Sequence, residues 1–201
     1  MNVIAKVINH FVREPAMHLA QPLAKIPSAE EIVRKKKDKR IIAVHEAGHA
    51  VMAYLKNAPS FDIDMIRGRV ITNYYLADAK THRESILVTY AGTAAEELLL
   101  GHFSSGCFGS ENADFESAAK SIKSYIVMTD NTVSKMMLDE ELWEKSIGLS
   151  KELYAETKEL LSEHQHLISA LADILENADS MSTKEVQELL DYELAHNKKR
   201  R

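Results

Sequence analysis

The chain has 201 residues, with 25 lysines and arginines against 30 aspartates and glutamates and a formal net charge of −5, which excludes the strongly basic surface of a general nucleic-acid binder. Hydrophobic residues make up 45% and charged residues 27%, the composition of an ordinary globular chain of one domain, or one domain with an extension. The single cysteine, Cys107, excludes an internal disulfide framework; no apolar run reaches the roughly 18 residues needed to cross a bilayer, and without a signal-peptide pattern the expected location is the cytoplasm.

In chain order, residues 2–13 place Val3, Ile4, Val7, Ile8, Phe11 and Val12 on one stripe and predict an amphipathic helix. Its polar face carries little positive charge, which favours packing on protein over lying on a membrane. Pro15, Pro22 and Pro27 make 14–28 an irregular connector, so 1–28 reads as an N-terminal extension. Ser28-Ala29-Glu30-Glu31 resembles a capping box. It starts a helix that runs through the charged stretch Arg34 to Arg40, a solvated face, into the apolar run Ile41 to Leu55. That helix ends near Asn57-Ala58-Pro59.

Residues 61–66 and 69–75 alternate around Arg67-Gly68 and predict a β-hairpin, the only sheet expected. Its edge could take an extended peptide by strand addition. A helix follows from about Arg83, with Ile86, Leu87, Tyr90, Ala94 and Glu97 or Leu98 on one face, and Gly101 ends it. After a loop from His102 to Gly109, residues 111–129 form another helix. Residues 139 to about 177 form one long, charge-laced helix, and Ser182-Thr183-Lys184-Glu185 caps a last helix to about Ala195. The fold class is mainly α with one small hairpin. The domain spans 29–197, and Lys198 to Arg201 form a basic tail expected to fray.

The chemistry concentrates in Ala43-Val44-His45-Glu46-Ala47-Gly48-His49-Ala50-Val51. Residues four apart share a helix face, so His45 and His49 can present two imidazoles to one metal ion, with Glu46 beside them near enough to hold a water. Two nitrogen ligands and an adjacent carboxylate are the parts of a zinc hydrolase. An unpaired His and Glu would be costly to desolvate in so apolar a helix, which argues against a chance pattern. Gly48 costs the helix about 1 kcal/mol relative to Ala and implies a packing reason. A hydrolytic zinc takes three protein ligands. For the third, His82, Glu96, Glu97, His102, Asp114 and Glu116 are candidates, and spacing alone does not choose among them. Glu96 and Glu97 would imitate two-His-one-Glu sites. Asp114 opens a helix after a Gly-containing loop, where a carboxylate also suits the helix dipole.

The order of motifs resembles the peptidase domain of the FtsH-type ATP-dependent zinc proteases over residues 32–195. The matching pieces are Ala43 to Ala50, Tyr90-Ala91-Gly92-Thr93-Ala94-Ala95-Glu96-Glu97-Leu98-Leu99-Leu100-Gly101, Gly109 to Ala119, and Tyr125 to Met137. The resemblance implies a mostly helical fold and zinc held by His45, His49 and Asp114. It implies Glu46 as general base and Glu96 as the residue that hydrogen-bonds a ligand histidine and fixes its tautomer. It also implies a peptide or unfolded-protein substrate, a separate ATPase partner, and, since the family assembles as hexamers, a homo-oligomer. The departures are Thr93 where the family has Arg, Cys107-Phe108-Gly109-Ser110 where it has Thr-Thr-Gly-Ala, one extra residue (Ala113) before the aspartate, and a shortened stretch before Tyr90. Neither the family's membrane helices nor its AAA+ ring is in the sequence, which predicts a standalone peptidase without ATPase activity of its own. The rival reading is a metal-binding regulator, inactive or weakly active, that works with a separate ATP-dependent protease or ATPase. A purely structural zinc site has no use for Glu46, and this favours the enzyme.

Overall fold

The computed structural model describes residues 29–74, 78–104, 113–133 and 139–197, with the side chains of 29–37, 139 and 197 left aside. The N-terminal helix and connector, the loop with Cys107 and Gly109, Ser28 of the first capping box and the basic tail lie outside the described residues. Six helices are present among the described residues: α1 (Ala29–Leu55), α2 (Ala79–Leu100), α3 (Asp114–Thr129), α4 (Asp139–Ser162), α5 (Gln165–Leu175) and α6 (Thr183–Asn197). Three short strands, β1 (Phe61–Asp64), β2 (Arg69–Thr72) and β3 (Ser180–Met181), form an antiparallel sheet in the order β2-β1-β3. The fold is mainly α, as the sequence predicts.

Helix α1 ends where its own chemistry stops it. Asn57 takes the left-handed conformation at φ 53°, Ala58 N–H donates to Ala53 O and Asn57 N–H to Tyr54 O. This is a Schellman stop, with Pro59 just beyond it. Helix α2 begins at Ala79, four residues before the expected Arg83, because Asp78 and Thr81 cap each other: Thr81 N–H donates to Asp78 Oδ1 at 2.8 Å. Gly101 ends it in the left-handed region at φ 75°, as predicted.

Two further differences from the sequence reading concern the C-terminal half. The long helix expected from 139 to about 177 is two helices, broken at Glu163-His164, where His164 N–H turns back to Leu161 O. The hairpin is not the whole sheet, because β3 adds to the free side of β1 with Ile63 opposite Met181. Asp62 on β1 locks the same end by accepting from the N–H and hydroxyl of Thr183, the first residue of α6. The predicted capping box there is formed: Ser182 N–H donates to Glu185 Oε2 at 2.9 Å. Because β3 covers one edge of β1, β2 is left as an edge strand of the sheet among the described residues.

The core lies between α1 and α2 and extends to α5 on one side and to α3 and α4 on the other. Val44, Ala47 and Val51 of α1 and Ile86, Leu87 and Ala94 of α2 are fully buried. Small residues set how close the two helices come. A Cβ on Gly48 would collide with the backbone oxygen of Ala91 and the Cβ of Ala95, which is the packing reason its place in a helix implied. On the other side, Tyr90, Phe115 and Tyr154 form an aromatic cluster with centroids 5.5–6.1 Å apart. With Ala118, Ile122 and Ile126 buried four residues apart, this cluster fixes the start of α3 against α2.

Candidate metal centre

The histidines of α1 meet a matching stripe on α2. Val88, Gly92 and Glu96 lie at four-residue spacing, so they share one helix face. His49 Nδ1 lies 2.7 Å from Val88 O, and His45 Nδ1 lies 2.6 Å from Glu96 Oε1. A backbone carbonyl can only accept, so His49 carries its hydrogen on Nδ1 and bares the lone pair of Nε2. Glu96 is fully buried and also accepts from the N–H and hydroxyl of Ser104 at 2.5 and 3.2 Å. As an acceptor it likewise places the hydrogen of His45 on Nδ1. Gly92, between the two anchors, leaves room for both rings: a Cβ there would stand 2.5 Å from His49 Nε2 and 2.6 Å from His45 Nε2.

The two Nε2 atoms end 3.0 Å apart with their rings at 79°. Asp114, the first residue of α3, brings Oδ2 to 3.0 Å from His45 Nε2 and 3.4 Å from His49 Nε2. Phe115, the next residue, packs its ring on Tyr90 with centroids 5.6 Å apart, and with the buried Ala118, Ile122 and Ile126 it seats this end of α3 on α2. Two lone pairs and a carboxylate this close repel unless a positive charge lies among them. Ligands around tetrahedral zinc, with bonds of about 2.0–2.2 Å, stand about 3.3 Å from one another, and the observed edges of 3.0, 3.0 and 3.4 Å match that triangle. Asp114 Oδ2 is buried and has no hydrogen-bond partner among the described residues, so the donor set fits a bound cation. His45, His49 and Asp114 could hold a metal ion. Without a metal ion, protonated imidazole takes the place of the cation. Burial raises the Asp114 carboxyl, but the imidazoles of His49 and His45 outweigh it and hold it well below the usual range. Burial lowers His49, and Asp114 outweighs that and raises it.

Glu46 lies beside this point rather than in it. It is 3% exposed, and its Oε2 has no hydrogen-bond partner among the described residues. Burial raises its pKa above the ordinary carboxylate value, the imidazoles oppose this, and Asp114 adds to it. A carboxyl shifted in that direction holds a proton more readily. Two hollows open on either side. One, of about 290 Å³, runs along β2 past Val70 and Thr72 to Val88 and Ser117. The other, of about 330 Å³, passes Gly68 and Ile42 to Ser104. His45, Glu46, Gly68 and Asp114 line both, so the centre sits in the middle of a cleft open at both ends.

The remaining candidates for a third ligand are elsewhere in use or outside the group. Glu97, next to Glu96, points the other way and accepts from Lys158 at 2.6 Å and Tyr154 at 2.9 Å. His82, His102 and Glu116 are not among the residues the fold brings together. Sequence reasoning missed Val88, Gly92 and Ser104. A glycine inside a helical pattern signals close packing, but nothing in the sequence says that Gly92 packs on imidazoles. Val88 acts through its backbone and leaves no signal at all.

Comparison with known proteins supplies relatives. The chain is 28% identical over 82% of its length to the ATP-dependent zinc metalloprotease FtsH 3 of Phytoplasma mali, covering 30% of that protein. It is 26% identical over 80% of its length to the ATP-dependent zinc metalloprotease FtsH of Helicobacter felis, again covering 30%. With the ATP-dependent zinc metalloprotease YME1L1 of Mus musculus it shares 28% identity over 82% of its length, covering 26%. The chain thus spans less than a third of the length of the curated relatives it matches. These matches fit an FtsH-type peptidase domain. No family model matches the chain. No helix among the described residues is long and apolar enough to cross a membrane.

Proposed function

We propose that residues 29–197 form a zinc-dependent metalloendopeptidase domain, in which His45, His49 and Asp114 hold the metal and Glu46 is the general base. The observation that carries this reading is the convergence of three ligand atoms on one point in an open cleft, with the unpartnered Oε2 of Glu46 beside it. Zinc, when bound, supplies Lewis acidity toward a carbonyl oxygen and a water. Glu46, buried beside the three ligand atoms, takes the proton of the attacking water and returns it to the departing amine. Glu96 holds His45 in the tautomer that presents Nε2.

The edge strand β2 supports a peptide as the substrate. Asn73 N–H donates to Ser60 O, so in an antiparallel ladder the backbone of 69, 71 and 73 points toward β1 and that of Val70 and Thr72 points outward. In agreement, the N–H of Val70 reaches the carboxylate of Glu46. An extended segment laid along β2 would pair with the carbonyl of Val70 and the backbone of Thr72 and pass beside the three ligand residues. A cleft beside an edge strand takes an extended chain rather than a folded domain. An ATPase that delivers unfolded protein, in keeping with the ATP dependence of the named relatives, is therefore the partner this reading calls for.

The test is cleavage of an unfolded casein-type substrate by zinc-loaded protein. Glu46→Gln is expected to keep its zinc and lose about 10²–10⁴-fold in rate. A Glu46→Gln variant that cleaves at the parent rate would refute the mechanism. Zinc-loaded parent protein that binds unfolded chains and cleaves none would return the role to a regulatory module.

A further inference from the structure

We infer that the cleft continues beyond the metal centre into a subsite for one large apolar side chain, built by Ile42, Met65, Ile66 and Leu175, which reads a substrate two or three residues from the bond that is cut. This rests on the peptidase reading above and adds to it a class of substrate. A third hollow, of about 190 Å³, lies past Ile42 and is also lined by Lys39, Glu176, Ala178 and Asp179. Ile42 lines both this hollow and the one beside the metal centre, so the two adjoin at that side chain. His49, Glu46, Ile42 and Lys39 follow one another at three- or four-residue spacing and therefore lie along one face of α1. At 1.5 Å per residue, Lys39 is about 10 Å from Glu46, a distance an extended chain covers in about three residues.

The lining combines the apolar Ile42, Met65, Ile66, Leu175 and Ala178 with the charged Lys39, Glu176 and Asp179. Leu175 and Ala178 are buried at 1% and 8% exposure and make the floor. Ile66 stands on the wall at 79% exposure, in the hairpin turn where Gly, Asn, Asp or Ser is the usual choice. Ile42, at 40%, faces the same hollow. Both isoleucines border a hollow that adjoins the one beside the metal centre. Of the charged residues, Glu176 is held by Arg40 at 2.8 Å. The occupant this arrangement fits is the peptide that passes beside the three ligand residues, anchored by an apolar side chain.

The probe is a set of fluorescein-labelled Gly/Ser/Thr decapeptides with a single Leu walked along the chain, titrated into zinc-loaded Glu46→Gln protein and followed by anisotropy. One Leu position is expected to bind about tenfold tighter than the Leu-less parent peptide. Adding Ile66→Ser is expected to erase that preference while the thermal midpoint stays unchanged. No preferred position, or a preference that survives Ile66→Ser, overturns the subsite. Zinc-loaded protein with Glu46 intact should cut the preferred peptide two or three residues from its Leu, and a cut directly beside the Leu also overturns it. Preserved Leu-dependent binding with no cutting of any peptide leaves the subsite standing and refutes the peptidase reading instead.

Discussion

Replacing Gly92 by Ala separates metal binding from folding. The new Cβ would stand 2.5–2.6 Å from the imidazoles of His45 and His49, where ordinary contact is about 3.5 Å, so both rings must retreat about 1 Å from α2. Their anchors, Glu96 and Val88, sit on that same helix, at 2.6 and 2.7 Å. A retreat of that size stretches both bonds to the edge of hydrogen bonding. Losing one such outer partner typically weakens a metal site about 10–100-fold, so losing two predicts zinc bound about 10²–10⁴-fold more weakly. Stability moves little: Ala for Gly inside a helix contributes about 1 kcal/mol, and two lost hydrogen bonds cost about 1 kcal/mol each. Competition against a chromophoric chelator reads the affinity, and thermal unfolding with chelator present reads the fold. A Gly92→Ala protein that binds zinc as the parent does, or one that fails to fold, would refute the reasoning.

Gly48→Ala should do the reverse. Its Cβ meets the backbone of Ala91 and the Cβ of Ala95, which cannot rotate away, and the overpacking should cost about 1–3 kcal/mol in urea unfolding with chelator present. Glu96→Gln replaces the buried carboxylate on His45 and should weaken zinc about 10–100-fold by the same chelator competition. Asp130 provides a pH prediction. The ammonium of Lys145, then Thr132, pulls its pKa down to about 2, below the ordinary unfolded value of about 3.9. A depressed carboxyl stabilises above its unfolded pKa and loses that contribution as pH falls through its folded one. The gap in thermal midpoint between parent and Asp130→Asn should therefore be full at pH 6 and close between about pH 4 and 2; a gap independent of pH would contradict the pairing.

How much of this was legible in the sequence depends on how far apart the interacting residues lie. The four-residue spacing of His45 and His49 reports their shared face directly, because a helix converts local spacing into geometry. Asp114 is 65 positions beyond His49 (114 − 49) and meets it through the packing of α3 on α2, so residue pattern left it level with Glu96 until the resemblance separated them. The fold brings His45, His49 and Asp114 to one point and sets Glu96 Oε1 2.6 Å from His45 Nδ1. The break at Glu163-His164 carries neither Gly nor Pro and so gives no local sign. Strand β3 is two residues long and is defined only by its pairing with β1. The early start of α2 was readable in Asp78 and Thr81, a less familiar form of capping box than Ser-x-x-Glu.

Whether His45, His49 and Asp114 share one metal ion is read from an anomalous-scattering map of zinc-soaked crystals at the zinc edge. One strong peak is expected within about 2.0–2.2 Å of His45 Nε2, His49 Nε2 and a carboxylate oxygen of Asp114, with Glu46 outside bonding distance. No peak at that point, or a peak that Glu46 or Glu96 ligates in place of Asp114, would contradict that coordination.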